Sequence, residues 1–382
     1  MRKIVSVKEL GEIITGNTPP RNDPDFYGDY KPFIKATDIS ESSKYTYKPE
    51  EYYSEKAYKK YIRSLIPKGS TCVVTIGSVG KKMTMAHCDL FINQAMNAIV
   101  PNQNFDSEYV YYVMKNNIHK LKKLDSGTAS GRENVSKSAF SNMEIEIDDD
   151  ITKQKKIGRI LSAYDNLIEN NQKQIKLLEE AAQRLYKQWF IDLRYPGHET
   201  TKIVDGIPEG WKKEIVGNLI KKVELTPQIE AKDYLLEGKI PVIDQSRNFI
   251  AGYTNNDDAI VKENCAVIVF GDHTRILKYI QFPFAKGADG TQLIVSNNEC
   301  MPQSLFYCSL INVDLSNYHY ARHFKYLKAE EIVVPDVQIA NKFDKLAKEF
   351  FAKIQNCRHQ ILSLQKSRDH LIPKLMSDKI KI

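Results

Sequence analysis

The chain has 382 residues, of which 42% are hydrophobic and 27% are charged, a composition that excludes a disordered chain and predicts more than one globular domain. No apolar run is long enough to span a membrane and the N-terminal residues lack a signal-peptide core, so the cytoplasm is the expected compartment. Residues 1–150 carry 21 basic and 20 acidic side chains and residues 191–335 carry 16 and 19, which excludes a basic coat spread over the whole surface.

The first distinctive stretch is the proline pair in "TGNTPPR", residues 15–21. Enzymes that methylate adenine carry a similar motif, in which Asp, Asn or Ser precedes two prolines and an aromatic residue stacks on the base. Here Thr18 precedes the prolines and Arg21 replaces the aromatic residue. The stretch is therefore interpreted as a turn and not as a catalytic motif.

Tyrosines alternate with basic side chains over residues 44–63. Side chains of these two types together line phosphate tracks in nucleic-acid-binding proteins. Three glutamates in the same stretch dilute the charge, so a plain surface helix is an equal alternative.

Two similar stretches, residues 67–81 and 261–275, predict β-branched strands that end in a turn, with Gly77 opposite Gly271. A second pair of strands is predicted at residues 93–100 and 291–297. Between the first strands and the first long helix, the loop "GTASGREN" carries Arg132 and Asn134, which suit contacts to base edges. A solvated turn is the alternative, and "GADGTQ" at residues 287–292 is its nearest match in the second half.

A heptad pattern predicts a long helix over residues 155–190 and a second one 186 residues later. Asn171 and Cys357 occupy the same step of the two seams, and Arg368 is the one charged exception. Because each helix has one apolar stripe, we expect an antiparallel pair; two unrelated amphipathic helices are the alternative. The predicted seam residues are Ile157, Leu161, Ile168, Ile175, Leu178, Leu185, Trp189, Phe343, Phe350, Ile354, Ile361, Leu364, Leu371 and Leu375.

The order of these segments predicts an α+β protein. Two α/β globular domains in a pseudo-two-fold repeat are expected to be separated by a long antiparallel two-helix coiled coil. The predicted boundaries are residues 1–150 for the first domain, 151–191 for the first helix, 192–335 for the second domain and 336–382 for the second helix.

Catalytic and metal-binding patterns are weak. "TIGSVGKK" lacks the first glycine and the final Ser/Thr of a phosphate-binding loop, and the triplet from Glu230 to Lys232 is common by chance. His319, His323, Cys300 and Cys308 have no usual ligand spacing, and the six cysteines form no Cys-x-x-Cys pair. No Gly-rich S-adenosylmethionine loop follows an early strand. The sequence therefore predicts no catalytic residue and no metal site.

Taken in order, these segments resemble the specificity subunits of Type I restriction–modification systems over nearly the whole chain. The resemblance is carried by "LGEIITGNTPP", "IPKGSTCVVTIGSVGK" and "GTASGRENVSKSAFSNMEIEI" in the first half, and by "GIPEGWKKEIVGNLI" and "RHFKYLKAEEIVVPD" in the second. The first helix ends in "LYKQWFIDLRYPG", which is similar to the family's ending. One departure concerns the second helix, where Ala340 stands in place of the glutamine that Gln154 provides in the first.

The resemblance implies two target-recognition domains, each reading one half of an asymmetric bipartite site in double-stranded DNA. It also implies helices that dock two modification subunits, which bind S-adenosylmethionine and methylate adenine. Restriction subunits would add ATP- and magnesium-dependent cleavage, so this chain would be a non-catalytic subunit in DNA modification and in host defence against foreign DNA. A stand-alone DNA methyltransferase and a coiled-coil scaffold without DNA specificity are the alternatives.

The predicted DNA contacts are basic and polar side chains in the loops and turns of both domains, and Arg132 is the strongest single candidate for a base contact. The full set is Lys35, Thr37, Lys56, Lys59, Lys60, Arg63, Ser78, Lys81, Lys82, Ser130, Arg132, Asn134, Gln245, Arg247, His273, Thr274, Arg275, Lys278, Gln292, Arg322, His323 and Lys325.

Overall fold

The computed structural model of the chain describes residues 2–127, 131–318, 322–380 and 382. The chain forms two compact units: unit 1 comprises Met1–Gln172 and His359–Ile382, and unit 2 comprises Lys173–Arg358. Each unit therefore combines a globular part with a portion of each long helix. The four segments predicted from the sequence stay a prediction, because the two compact units do not test where each globular domain ends and each helix begins.

Unit 1 contains nine strands and three short helices before the first long helix, within its described residues. The strands are β1 (Arg2–Ser6), β2 (Gly11–Thr15), β3 (Tyr27–Ile34), β4 (Glu51–Tyr53), β5 (Thr71–Val74), β6 (Met83–Met85), β7 (Phe91–Ile92), β8 (Met96–Pro101) and β9 (Glu144–Asp148). The helices are α1 (Glu55–Lys60), α2 (Ser107–Asn117), α3 (Lys137–Ser141) and the long α4 (Ile151–Tyr186), which continues into a π-helical turn at Lys187–Ile191.

Three sheets organise unit 1. They have the strand orders β1-β9, β4-β3-β7 and β2-β8-β5-β6. The β3–β7 pair is parallel and the other pairs are antiparallel. Strands β5 and β6 are buried along their whole length, which agrees with their near-continuous apolar sequences.

Unit 2 contains ten strands in the part of it that the structure describes. They are β10 (Ile203–Val204), β11 (Ile207–Pro208), β12 (Lys212–Ile215), β13 (Ile240–Ile243), β14 (Gly252–Thr254), β15 (Val267–Gly271), β16 (Leu277–Ile280), β17 (Ala285–Lys286), β18 (Thr291–Ile294) and β19 (Glu331–Val334). The helices are α5 (Gln303–Ile311), α6 (His323–Ala329) and the long α7 (Val337–Met376).

The topology of unit 1 is repeated in unit 2. The orders β12-β19, β14-β13-β17 and β16-β15-β18 correspond to β1-β9, β4-β3-β7 and β6-β5-β8, with the same parallel and antiparallel pairs. The sequence comparison was wrong in one respect. Residues 287–290 form the β17–β18 turn, whereas the counterpart of the "GTASGREN" loop is the segment between α5 and α6, which begins at Asn312.

The two long helices run antiparallel within unit 1. Lys153 near the start of α4 pairs with Asp378 just beyond α7, and Asp165 further along α4 pairs with Arg368. Among the predicted seam residues of this unit, Ile157, Leu161, Ile168 and Leu375 are buried, and Ile361, Leu364 and Leu371 are partly buried. Ile157, Leu161, Leu371 and Leu375 pack with the globular core. Arg368, the charged exception in the seam, is buried as an ion pair with Asp165.

The helices are also antiparallel within unit 2. Arg358 pairs with Glu179 at 3.0 Å, and the rings of Trp189 and Phe343 lie 5.9 Å apart. In this unit, Trp189, Phe343 and Ile354 are buried, and Ile175, Leu178, Leu185 and Phe350 are partly buried against the same core.

The starts of the two long helices differ for a physical reason. The Gln154 side chain of α4 accepts from the backbone N–H of Asp106 at 3.0 Å and donates to the carbonyl of Asp148 at 2.8 Å. Asp106 precedes α2, and the residue that precedes α5 in unit 2 is Pro302. Proline has no backbone N–H, so a glutamine at Ala340 would lack the donor that holds Gln154.

Candidate nucleic-acid interface

In unit 1, backbone hydrogen bonds join the β5–β6 turn to the segment that precedes α3. The N–H of Gly77 donates to the carbonyl of Glu133 at 2.9 Å, and the N–H of Val79 donates to the Glu133 carboxylate at 3.0 Å. The N–H of Val135 donates to the carbonyl of Thr75 at 2.8 Å. Two predicted contact regions, the turn with Ser78, Lys81 and Lys82 and the loop with Arg132, therefore lie side by side.

The loop that carries Arg132 is anchored on both flanks. The Asp125 carboxylate accepts the N–H groups of Gly127 and Asn134 at 2.8 and 2.7 Å, and these bonds hold the pKa of Asp125 below its usual value. Arg132 is exposed and Asn134 is half-buried, while Ser130 lies outside the described residues. The two ends of the loop that carries Arg132 are therefore held in place.

We expect replacement of Arg132 by alanine to weaken DNA binding by about 1–3 kcal/mol, because an arginine that grips a guanine edge contributes this much to base discrimination. The loss should fall on one position of one half-site, measured by binding a set of single-base variants of the recognised duplex. Lys137→Ala, an exposed basic residue of α3 in the same unit, is the matched control. A uniform loss over all duplexes with a shallower salt dependence would identify a phosphate contact instead.

A third loop of unit 1 lies beside the β5–β6 turn. The Lys82 ammonium donates to the carbonyl of Ala36 at 3.4 Å, which places Lys35 and Thr37 next to this turn. Lys35 pairs with Glu50 at 2.7 Å and Glu51 at 3.1 Å, and the hydrogen bond to Glu50 raises the pKa of Lys35. Its charge is therefore largely compensated, whereas Thr37 and Lys81 are exposed.

The tyrosine-rich stretch contributes mainly to the core. Tyr53 is fully buried and stacks on Phe91 with ring centroids 4.3 Å apart, and Tyr58 and Tyr61 pack against the same cluster. The basic residues of this stretch are exposed: Lys56, Lys59 and Lys60 lie on α1, and Arg63 follows it. Lys56 pairs with Asp23 and Asp25, and Lys60 lies over the ring of Phe26 at 4.5 Å. The tyrosines of the expected phosphate track are thus divided: Tyr53 belongs to the core, whereas Tyr47 is 45% exposed.

In unit 2, the Gln245 side chain ties three loops together. The side-chain carbonyl accepts the N–H of His273 at 3.0 Å and the side-chain amide donates to the carbonyl of Asp289 at 2.9 Å. The backbone carbonyl of Gln245 accepts the Thr274 hydroxyl at 2.7 Å. Gly290 fits beside it, since a Cβ there would lie 2.6 Å from the Gln245 amide nitrogen. Gln245 therefore positions the exposed His273 and Thr274.

Asp272 is a structural residue that the sequence reasoning missed. Its N–H donates to the carbonyl of Gly290 at 2.7 Å, its carbonyl accepts the N–H of His323 at 3.0 Å, and its carboxylate accepts the N–H of Phe324 at 2.7 Å. It joins the β15–β16 turn, the β17–β18 turn and the start of α6. A short acidic residue directly after a buried strand was the available signal.

Two of the predicted contact residues in unit 2 are buried. The Lys278 ammonium donates to the carbonyl of Asp244 at 2.8 Å and to that of Asn248, and burial lowers the pKa of Lys278 to about 8. His323 is 4% exposed and burial lowers the pKa of its imidazole. Lys278 thus holds the loop after β13, and neither side chain is presented at the surface of the unit.

The remaining predicted residues of unit 2 lie around these loops. Arg247, Arg322 and Lys325 are exposed, and Gln292 is half-buried in β18. Arg275 adopts a positive φ of 60° at the tip of the β15–β16 turn, and its guanidinium donates to the carbonyl of Leu315 at 3.0 Å. The contact roles of all the predicted residues stay predictions.

The described part of the chain contains no group of three or more His, Cys, Asp or Glu side chains arranged to hold a metal ion. No helix within the described ranges combines the length and the apolar character needed to cross a membrane.

Residues 2–180 match the family model of the Type I restriction modification DNA specificity domain. The chain is 27% identical over 406 residues to the Type I restriction enzyme MjaIX specificity subunit of Methanocaldococcus jannaschii, covering 99% of this chain and 93% of that protein. It is 30% identical over 187 residues to the HindI specificity subunit of Haemophilus influenzae, covering 46% and 38%. The crystal structure of a Type I S subunit from M. genitalium aligns with a TM-score of 0.60 at 16% identity, covering 98% and 96%.

The chain is similar to Type I restriction–modification specificity subunits over almost its whole length, and the resemblance seen in the sequence is confirmed. The predicted fold class, with two globular domains and long helices between them, is confirmed by the similarity of fold to the solved S subunit.

Proposed function

We propose that this chain reads an asymmetric bipartite site in double-stranded DNA, with one half-site recognised by each globular domain. The repeated topology with different side chains in equivalent places is the observation that supports this proposal. The β5–β6 turn of unit 1 meets a loop carrying Arg132 and Asn134, whereas the β15–β16 turn of unit 2 presents His273 and Thr274. Different side chains on the same frame suit two different half-sites.

In the same proposal, the long helices dock two modification subunits that bind S-adenosylmethionine and methylate adenine. Restriction subunits, where the host has them, would add ATP and magnesium for translocation and cleavage. The chain itself would work in the cytoplasm as the non-catalytic recognition subunit. Sequencing adenine methylation genome-wide in the host with and without this gene tests the whole proposal: a bipartite methylated motif should disappear when the gene is deleted.

The purified chain alone should be catalytically silent, since the sequence has no cofactor loop and no catalytic motif. We expect no methyl transfer to duplex DNA until a modification subunit is added, measured with radiolabelled S-adenosylmethionine. Methyl transfer by the chain alone would favour the stand-alone methyltransferase. Equal binding of all duplexes by the assembled complex would favour a scaffold without DNA specificity.

A further inference from the structure

A cleft of about 410 Å³ lies in unit 2, between the segment that follows residue 219 and strand β18, and we call it the lysine cleft. The lining residues that bear on its chemistry are Lys221, Lys222, Lys286, Gln292, Phe324 and Lys328.

The cleft exists because one strand of the repeat is missing. In unit 1, β2 pairs with β8 along Gly11–Thr15. In unit 2, the corresponding segment makes one bridge, between Ile220 and Ser296. Its two bonds run from the Lys221 N–H to the Val295 carbonyl at 2.7 Å and from the Asn297 N–H to the Leu219 carbonyl at 3.0 Å. Beyond Lys221 the chain leaves the edge of β18.

A glycine explains where the two segments diverge. A Cβ at Gly16 would lie 2.2 Å from the carbonyl oxygen of Asn93 and 2.3 Å from that of Ile92. At the equivalent position of the repeat, unit 2 has Leu225, which is 85% exposed. The first pair of the ladder tolerates a side chain, because Ile220, which stands where unit 1 has Gly11, still bridges Ser296. The side chain of Leu225 is therefore the one that prevents the close approach made at the end of β2.

The open cleft gathers positive charge in a region whose sequence is acidic overall, with 16 basic and 19 acidic side chains over residues 191–335. Lys221 pairs with Glu263 at 2.8 Å and Glu224 pairs with Lys262 at 3.0 Å. Within the described residues of unit 2, no carboxylate pairs with Lys222, Lys286 or Lys328. Lys286 is half-buried, and burial lowers the pKa of its ammonium. A partly buried cation without a carboxylate is stabilised by an anionic ligand.

The lysine cleft is continuous with the loops of the candidate interface. Phe324 lines the cleft, and its N–H donates to Asp272, which joins the two turns of the loop cluster. Gln292 lines the cleft two residues after Gly290, where the Gln245 side chain fits. A DNA strand in contact with His273 and Thr274 would therefore lie beside the lysines of the cleft.

We propose that the lysine cleft binds the sugar–phosphate backbone of DNA next to the half-site read by unit 2, with Lys222, Lys286 and Lys328 contacting phosphates. This inference rests on the proposed function. The contacts are independent of base sequence, so they fix the position of unit 2 on the duplex and leave the choice of bases to the loops. Unit 1 closes the same edge with β2, so the two domains hold the DNA backbone differently.

The test compares two triple variants in the complex assembled with modification subunits. One is Lys222→Gln, Lys286→Gln, Lys328→Gln; the matched control is Lys202→Gln, Lys213→Gln, Lys239→Gln, three exposed lysines elsewhere in unit 2. Dissociation constants are measured against potassium chloride concentration for a duplex with the methylated motif and for a scrambled duplex. Melting curves establish that both variants fold.

We expect the cleft variant to lower the slope of log affinity against log salt by about 2–3, since each phosphate contact contributes about 0.9. Affinity for both duplexes should fall by the same factor, and the control should match the wild type. An unchanged slope, or a loss confined to the motif duplex, would overturn the proposal. Loss of subunit assembly with unchanged DNA affinity would identify the cleft as a protein interface and would also overturn it. The salt slope can be measured on the scrambled duplex even if the complex selects no sequence. Failure of the proposed function can therefore be distinguished from failure of the cleft proposal.

Discussion

Replacing Arg368 by methionine should lower the free energy of unfolding by about 3–5 kcal/mol, because it leaves a buried carboxylate without its cation. The side chains of Arg368 and Asp165 are each 3% exposed and form an ion pair, and the Tyr112 hydroxyl also donates to Asp165. Arg368 further donates to Asp369 at 2.9 Å. Urea denaturation followed by circular dichroism measures the loss.

The partner variants separate loss of the ion pair from loss of packing. The triple variant Arg368→Met, Asp165→Leu, Tyr112→Phe removes every polar member of the buried group and should recover most of the stability. Unit 2 supports this expectation, because the positions 186 residues away from Asp165 and Arg368 hold the buried residues Phe351 and Ala182.

The control is an exposed pair on α4, the helix that carries Asp165. Lys176 lies 3.9 Å from Glu180, and Lys176→Met should change stability by less than about 0.5 kcal/mol. A loss of under about 1 kcal/mol for Arg368→Met would contradict the buried position of Asp165.

Periodicity predicted the long helices because it reports directly on which face of a helix is buried. The seam from Ile157 to Leu375 is buried or partly buried in the units where its residues lie. Its charged exception, Arg368, could not be understood from the pattern, since its partner Asp165 lies 203 residues away and outside the predicted seam. A pair of this kind is visible only once the helices are placed together.

The globular parts were harder to predict because local propensity does not report on strand partners. The strand–turn pairs around Gly77 and Gly271 follow from β-branched runs and glycine. Local sequence does not show which loops of the two units are equivalent, and "GADGTQ" was matched to the wrong loop on composition alone. Likewise, nothing local shows that Ala340 replaces a glutamine because Pro302 lacks a donor.

The candidate site was predicted as a set of surface residues, and the structure divides that set by burial. Basic residues in turns, such as Lys81 and Arg132, are exposed, whereas Lys278 is buried beneath its loop. The sequence alone does not distinguish a lysine that is buried from one that is exposed. Its role depends on whether neighbouring carbonyls, here those of Asp244 and Asn248, converge on the ammonium.

Replacing Gly16 by leucine, the residue that unit 2 has at the equivalent position, should detach the end of β2 and cost about 3 kcal/mol, the upper part of the range for overpacking. The Cβ would lie 2.2 Å from the Asn93 carbonyl oxygen and 2.3 Å from that of Ile92, and both belong to backbone that cannot rotate away. Hydrogen exchange should become faster at the amide of Asn17, which donates to the Ile92 carbonyl at 3.0 Å, and at the neighbouring amides of β2. Gly28→Ala is the matched control in the same unit, since its Cβ would meet only Ser54 at 3.2 Å. If exchange at Asn17 stays slow in Gly16→Leu, the end of the strand tolerates a side chain at this position. The missing strand of unit 2, and with it the lysine cleft, would then require a cause other than Leu225.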